Sequence, residues 1–301
     1  MRKFLKKTVL FFLGLSLILA VSDYCYSKLY RHVSKPNMEI WKDVMDGDAS
    51  SGLLICGDSR VNTDCLPHVI DSITGLQSFS LGIIGHHFSI ERLSYDMYRR
   101  YNDKPVIVVQ LVDGWTFSKP SKFERSQFMP WMWNMPFLKE AFKLEPRYFA
   151  GISIPWLRYH GEHIYDMKWS RRLTRRGYFK YNADRFFRYP EDQLVLKRSE
   201  NNEKRFRAYL SELSQEGIKV VLIMAPIYGS SSFSESTLSM TRKLFVSIAE
   251  EYGIPVLDYL QRPCFEDSTL FNDSLHLNEK GARVFSDSLA NDIMSLGLIN
   301  N

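Results

Sequence analysis

Ser59, Asp273 and His276 could together activate a nucleophile if the fold brings them into contact. Ser59 lies in the stretch "LLICGDSRVN" (53–62), in which four apolar residues run directly into Gly57-Asp58-Ser59. A serine hydroxyl is a weak nucleophile until a base takes its proton, so the stretch raises the question of a histidine. The chain has seven. His32 lies in the juxtamembrane stretch, His160 and His163 lie in a long irregular segment, and His68, His86 and His87 follow the first two apolar runs with no acid spaced to orient them. His276 differs, because "FNDSLHLNEKGARVF" sets Asp273 three residues before it. In a tight loop that spacing brings a carboxylate to one imidazole nitrogen while the other faces a hydroxyl, which fixes the tautomer and stabilises the imidazolium. The plainer alternative makes Asp273 or Asn278 a helix cap, His276 a loop residue, and Gly-Asp-Ser a polar turn after a strand.

These residues need a scaffold that brings them together. From Gly52 the chain alternates short apolar runs with helix-length amphipathic segments, the pattern of a parallel sheet covered on both faces. Strands are expected at 53–56, 78–81, 106–112, 220–225 and 255–258. Helices are expected at 88–101, at 201–216, around 241–252, and at the chain's end, where Phe285, Leu289, Ile293 and Leu296 recur at helical spacing. Right-handed crossovers then make a three-layer α/β/α domain with a parallel five-stranded sheet. Ser59 falls after the first strand and His276 after the last, where open α/β sheets bind ligands.

With these residues in these positions the chain resembles the SGNH (GDSL-like) hydrolases. The resemblance covers 52–112 and 201–296 and implies a flavodoxin-like sheet. Gly57-Asp58-Ser59 matches the first block, with the nucleophile on Ser59, and Asp273 and His276 match the last block as orienting acid and base. The second block implies an oxyanion hole of backbone N–H groups from Ser59 and Gly85 within "SLGIIGHH", with Gly82 as the turn or as the competing donor. In the third block the family carries an asparagine whose amide donates to the oxyanion, whereas this chain has Asp113-Gly114. An ionised aspartate cannot donate, and losing one oxyanion donor typically costs ~10²–10³ in turnover.

The N-terminus adds a location. Arg2, Lys3, Lys6 and Lys7 precede an apolar or small-residue run from Thr8 to Val21, the layout of a signal anchor or of a secretory signal, with Ala20-Val21-Ser22 at cleavage spacing. Residues 1–22 are thus anchor or signal peptide, 23–51 a juxtamembrane linker and 52–301 the α/β domain. Either reading exports the domain, to the periplasm or cell surface in a bacterium. Residues 115–200 interrupt the periodicity, holding five of the six tryptophans and 17 Lys and Arg against 9 Asp and Glu. Such a segment is a lid or binding subdomain for an anionic, sugar-rich or lipid partner, or else a small aromatic core with "RRLTRR" (171–176) as a solvated face. Four cysteines do not make a disulfide scaffold, and Cys56 falls in a strand core.

A modest net charge of +5 without zinc-ligand spacing, arginine-rich helices or an aromatic RNA-binding signature points away from nucleic acid, and no metal or cofactor is expected. The resemblance implies an exported serine esterase or O-acyltransferase acting on acyl, chiefly acetyl, esters of cell-surface glycans, with a membrane-embedded acyltransferase as partner. The alternatives are a catalytically silent module binding glycan or that partner, and a lysophospholipase.

Overall fold

The computed structural model describes residues 1–33, 35–84, 88–118, 125–155, 157–160, 173–181, 198–229 and 234–299. In chain order these form α1 (Arg2–Tyr30), α2 (Pro36–Asp46), β1 (Leu53–Asp58), α3 (Ser59–Asp64), α4 (Pro67–Thr74), β2 (Ser78–Ile83), α5 (Phe88–Tyr101) and β3 (Ile107–Leu111). There follow α6 (Met135–Leu144), α7 (Pro146–Ser153), α8 (Glu200–Gln215), β4 (Lys219–Met224), α9 (Glu235–Tyr252), β5 (Val256–Asp258) and α10 (Glu279–Ser295). The chain divides into two compact units: Met1–Lys42 with Glu124–Arg172, and Asp43–Phe123 with Leu173–Asn301. The 115–200 segment is therefore shared between them.

The larger unit carries a five-stranded, wholly parallel sheet in the order β2-β1-β3-β4-β5. This is the flavodoxin-like strand order. The apolar runs form strands because each is covered on both sides. Leu53, Ile55, Ile107, Val109, Leu111, Val221 and Ile223 point one way, into a core shared with Val69 and Ile70 of α4 and Ala282, Phe285, Leu289 and Ile293 of α10. On the opposite face α5 and α8 pack together, with Phe88, Phe206 and Tyr209 in ring contact. The three layers follow.

The helices begin and end on local signals. Ser199 caps α8, Ser234 caps α9 and Asn278 caps α10, each side chain accepting a first-turn N–H, and Gly253 closes α9 in the left-handed conformation. Helix α5 spans 88–101, as its periodicity predicts, whereas α9 begins six residues before Thr241. Its first three residues are polar and the Ser234 cap starts it, with Leu238 already buried on the face that Phe245 and Ile248 continue. Strand β1 runs two residues further than expected, through Gly57 to Asp58.

In the smaller unit α1 is long and apolar enough to span a membrane. It does not stop near Val21 but continues to Tyr30, because Asp23, Ser27 and Tyr30 on one face are buried among tertiary partners. Trp133 Nε1 donates to Asp23 at 2.6 Å, and the Tyr159 hydroxyl donates to Ser27 Oγ at 2.7 Å. Trp41, Phe128, Phe137 and Phe149 form an aromatic core with ring centroids 5.1–6.1 Å apart. All four cysteines are free, with Cys56 and Cys65 buried.

Gly57 controls the turn into Ser59. Its φ is +151°, and a Cβ there would lie 2.7 Å from Leu111 Cβ and 3.0 Å from Val61 Cγ2. Gly57→Ala combines backbone strain with overpacking between two strands, and should lower stability by about 2–5 kcal/mol. Chemical denaturation of the variant checks this.

Candidate active site

Ser59 is set by the sheet. Strand β1 lies between β2 and β3, and Ser59 is the residue after it, at the carboxyl edge and at the first position of α3. The N–H at such a position has no acceptor within its own helix. His276 reaches the same edge from the loop between β5 and α10. Ser59 Oγ lies 2.9 Å from His276 Nε2, and His276 Nδ1 lies 3.0 Å from each oxygen of Asp273. A carboxylate only accepts, so Nδ1 carries the proton and donates it, leaving Nε2 to accept from the serine hydroxyl. The three residues singled out from the sequence thus meet in one hydrogen-bonded line, although 217 positions separate the first from the last.

The loop is held as firmly as the strand. Asp273 Oδ1 also accepts the N–H groups of Leu275 and His276, both at 2.8 Å, and Asn272 N–H donates to His276 O at 2.8 Å. Burial pushes the Asp273 carboxyl up, but His276 and those two N–H groups outweigh it and hold Asp273 below the usual carboxylate range. Burial likewise pulls His276 down, and is outweighed by Asp273 first, then by Asp64 and Asp58, so the imidazole holds a proton above its ordinary range. The His276 side chain stays 14% exposed, which leaves the imidazole reachable.

Three neighbours of this line carry no signal in residue type alone. Asp64, at the end of α3, is fully buried, and its Oδ1 accepts from Thr63 Oγ1 at 2.8 Å and from Leu277 N–H at 3.1 Å. It thereby ties α3 to the His276 loop. Burial pushes its carboxyl up to about 7, against the pull of His276. Tyr181 lies with its ring 5.1 Å from that of His276. It arrives on a return strip, 173–181, in which Arg175 and Tyr178 pair across Arg176-Gly177, both at positive φ. Arg176 O accepts Ser80 N–H from β2 at 2.9 Å, and a Cβ on Gly177 would lie 1.8 Å from Ser80 O, so only glycine fits. Arg176 pairs with Asp71, so this part of "RRLTRR" is tied to the fold, while Arg171 and Arg172 lie outside the described residues.

The third neighbour is Arg60. Its side chain is 1% exposed and lies between two carboxylates. Nε and Nη2 donate to Asp58 Oδ2 at 3.0 and 2.6 Å, and Nη2 also donates to Asp113 Oδ2. Asp113 Oδ1 accepts Trp115 N–H at 2.7 Å and Thr116 N–H at 3.0 Å, which closes the turn after β3. The residue standing where an amide was expected is thus neutralised and fully engaged. Burial alone would lower the Arg60 pKa, but Asp58 and Asp113 raise it, so the cation is fixed. Nη1 is buried with no partner among the described residues. A cavity of about 470 Å³ opens beside Asp113 and Gly114, lined by Phe117, Met240, Leu244 and Phe245.

Of the two expected oxyanion glycines, Gly85 lies outside the described residues, as do His86 and His87. Gly82 N–H donates to Asn62 Oδ1 at 2.8 Å, and Asn62 Nδ2 donates back to Gly82 O at 2.9 Å, so that N–H is already engaged. Among the described residues no group of three or more His, Cys, Asp or Glu is arranged to hold a metal.

No family model matches the chain. No curated protein matches it either. Among solved structures it is similar to a protein assigned to the lipolytic G-D-S-L family from Desulfitobacterium hafniense DCB-2, at 13% identity and a TM-score of 0.43, over 79% of this chain and 97% of that one.

Removing one member of a buried ion pair strands its partner's charge, at a typical cost of about 3–5 kcal/mol. Arg60→Met should therefore be strongly destabilising, whereas Arg60→Met combined with Asp113→Asn should cost clearly less than the sum of the two single changes. A double-mutant cycle by denaturant unfolding measures the difference.

Proposed function

We propose that the chain is a membrane-anchored serine ester hydrolase or O-acyltransferase of the SGNH type, with its α/β domain outside the cytoplasm. The observation that carries this reading is the Ser59–His276–Asp273 line, with Oγ 2.9 Å from Nε2 and Nδ1 against the carboxylate. Fold and helix α1 are compatible with it. Glycan acyl esters as substrates, and a membrane-embedded acyltransferase as partner, rest on the resemblance of the sequence blocks.

In this mechanism Ser59 Oγ attacks the acyl carbonyl carbon as His276 Nε2 takes the hydroxyl proton. The carbonyl π electrons move to oxygen, and Asp273 offsets the charge gained by the imidazole. Collapse of the tetrahedral species breaks the ester C–O bond, and His276 returns the proton to the departing alkoxide. Water, or a sugar hydroxyl in the transferase version, then attacks the acyl-serine while giving its proton to His276, and Ser59 leaves reprotonated. The Ser59 and Gly85 N–H groups are the proposed oxyanion donors. Arg60 has a different part: by neutralising Asp113 it removes the repulsion that a free carboxylate would exert on the developing oxyanion.

A fluorophosphonate probe tests the reading. The full-length protein should be labelled, and Ser59→Ala should abolish labelling. A correctly folded wild type that neither labels nor hydrolyses a short-chain chromogenic ester would leave the silent binding module instead. Asp273→Asn should lower turnover by about 10⁴-fold, by loss of the correct tautomer.

The base acts only when neutral, and His276 keeps its proton to higher pH than a free imidazole. Activity should therefore be full above the His276 pKa and lost as pH falls through it, with the acid limb of kcat/KM centred above pH ~6.5. Asp64→Asn removes one of the charges that raise His276 and should move that limb to lower pH, read from kcat/KM against pH.

A further inference from the structure

We infer that the smaller unit carries a lipid-facing seat at the carboxyl end of α1, where Tyr24, Trp133, Met135, Ile154 and Leu157 enter the headgroup and acyl boundary of the membrane that α1 crosses. The inference rests on α1 being a retained anchor.

The first support is a mismatch of length. The apolar run of α1 from Thr8 to Val21 rises about 21 Å at 1.5 Å per residue, against a hydrocarbon core of about 30 Å. The basic residues of the first turns fix its other end. A span this short draws the next residues toward the apolar phase or thins the bilayer around it.

Two residues beyond Val21 stands Asp23, whose bare carboxylate would resist that. Asp23 is fully buried within the protein, bonded by Trp133 Nε1 at 2.6 Å and faced by Arg158 Nη2 at 3.6 Å. Beside it the rings of Tyr24 and Trp133 are exposed, by 44% and 36%.

Trp133 joins the patch to the helix. The Trp133 ring meets the Tyr24 ring edge-on at 5.9 Å, and the Arg158 guanidinium lies 5.8 Å from the Trp133 ring. Arg158 in turn bonds to the end of α7 and the residue after it, Nη2 donating to Ser153 O at 3.1 Å and N–H to Ile154 O at 3.3 Å. Ile154 is exposed by 51% and Leu157 by 62%, while Met135, two residues from Trp133, is exposed by 69%.

The order along α1 also matches a membrane boundary. Apolar Val21 is followed one turn on by Tyr24, and one turn further by Lys28, whose ammonium lies 5.6 Å from the Tyr24 ring centroid. Aromatic rings at headgroup level with a cation just outside them suit an anionic or zwitterionic lipid surface.

Full-length protein in nanodiscs of phosphatidylcholine and phosphatidylglycerol tests this. Cys25→Ser and Cys264→Ser remove the exposed thiols. A single cysteine at Ile154 or Leu157 is then labelled with a nitrobenzoxadiazole fluorophore, with a Leu17→Cys label as the embedded reference. At 154 and 157 a lipid carrying a shallow nitroxide should quench emission at least about two-fold, and aqueous iodide should quench much less than it does a free dye. Labels indifferent to the nitroxide lipid and fully quenched by iodide overturn the seat, and a membrane-embedded protein would then be the occupant. Protein that does not stay with the discs overturns the anchor, and the seat with it.

Discussion

The buried guanidinium of Arg60 is the interaction on which the site depends. Asp58 ends β1 and Asp113 follows β3, so two carboxylates emerge side by side at the carboxyl edge of neighbouring strands. Buried together and unpaired, they would repel each other and resist desolvation. A single cation donating to both turns that repulsion into a clamp on the two strand ends, with Ser59 between its partners in sequence. The same clamp explains how the chain tolerates aspartate where an amide was expected. It also sets the surroundings of Glu91, whose carboxyl is pushed well above its usual range by burial and then by Asp58 and Asp113.

A second clamp acts on the other half of the site. Asp64 joins the end of α3 to Leu277, and Ser286 of α10 donates to Asp64 O, so the serine's helix and the histidine's loop share anchors. Ser59 and His276 are then positioned against each other through short paths rather than across the whole sheet. The preorganisation that acid–base chemistry requires is built from two buried ionisable side chains on a six-residue helix.

Much of the fold was legible because strands buried on both faces have no choice but continuous apolar residues, and α5 was readable to the residue from its stripe. That Ser59, Asp273 and His276 would meet was legible because a serine at the end of the first strand and a carboxylate three residues before a histidine fit one another. Arg60, Asp64 and Tyr181 were not, since nothing in the identity of a charged residue says that it will be buried, and Tyr181 comes from a segment without periodicity. The partners of Asp23 and Ser27 were not legible for the same reason: they are Trp133 and Tyr159, more than a hundred positions away.

The strip that carries Tyr181 has another consequence. Strand β2 is an outer strand of the sheet, and an outer strand offers its unpaired N–H and C=O groups to any neighbouring chain. Arg176 O occupies the N–H of Ser80, and Gly177 lies so close to the Ser80 carbonyl that no second strand could dock there. One short piece of backbone therefore serves as a wall beside the imidazole and as a guard against edge-to-edge polymerisation. Evolution could not trim it to change what stands beside His276 without also exposing the protein to self-association.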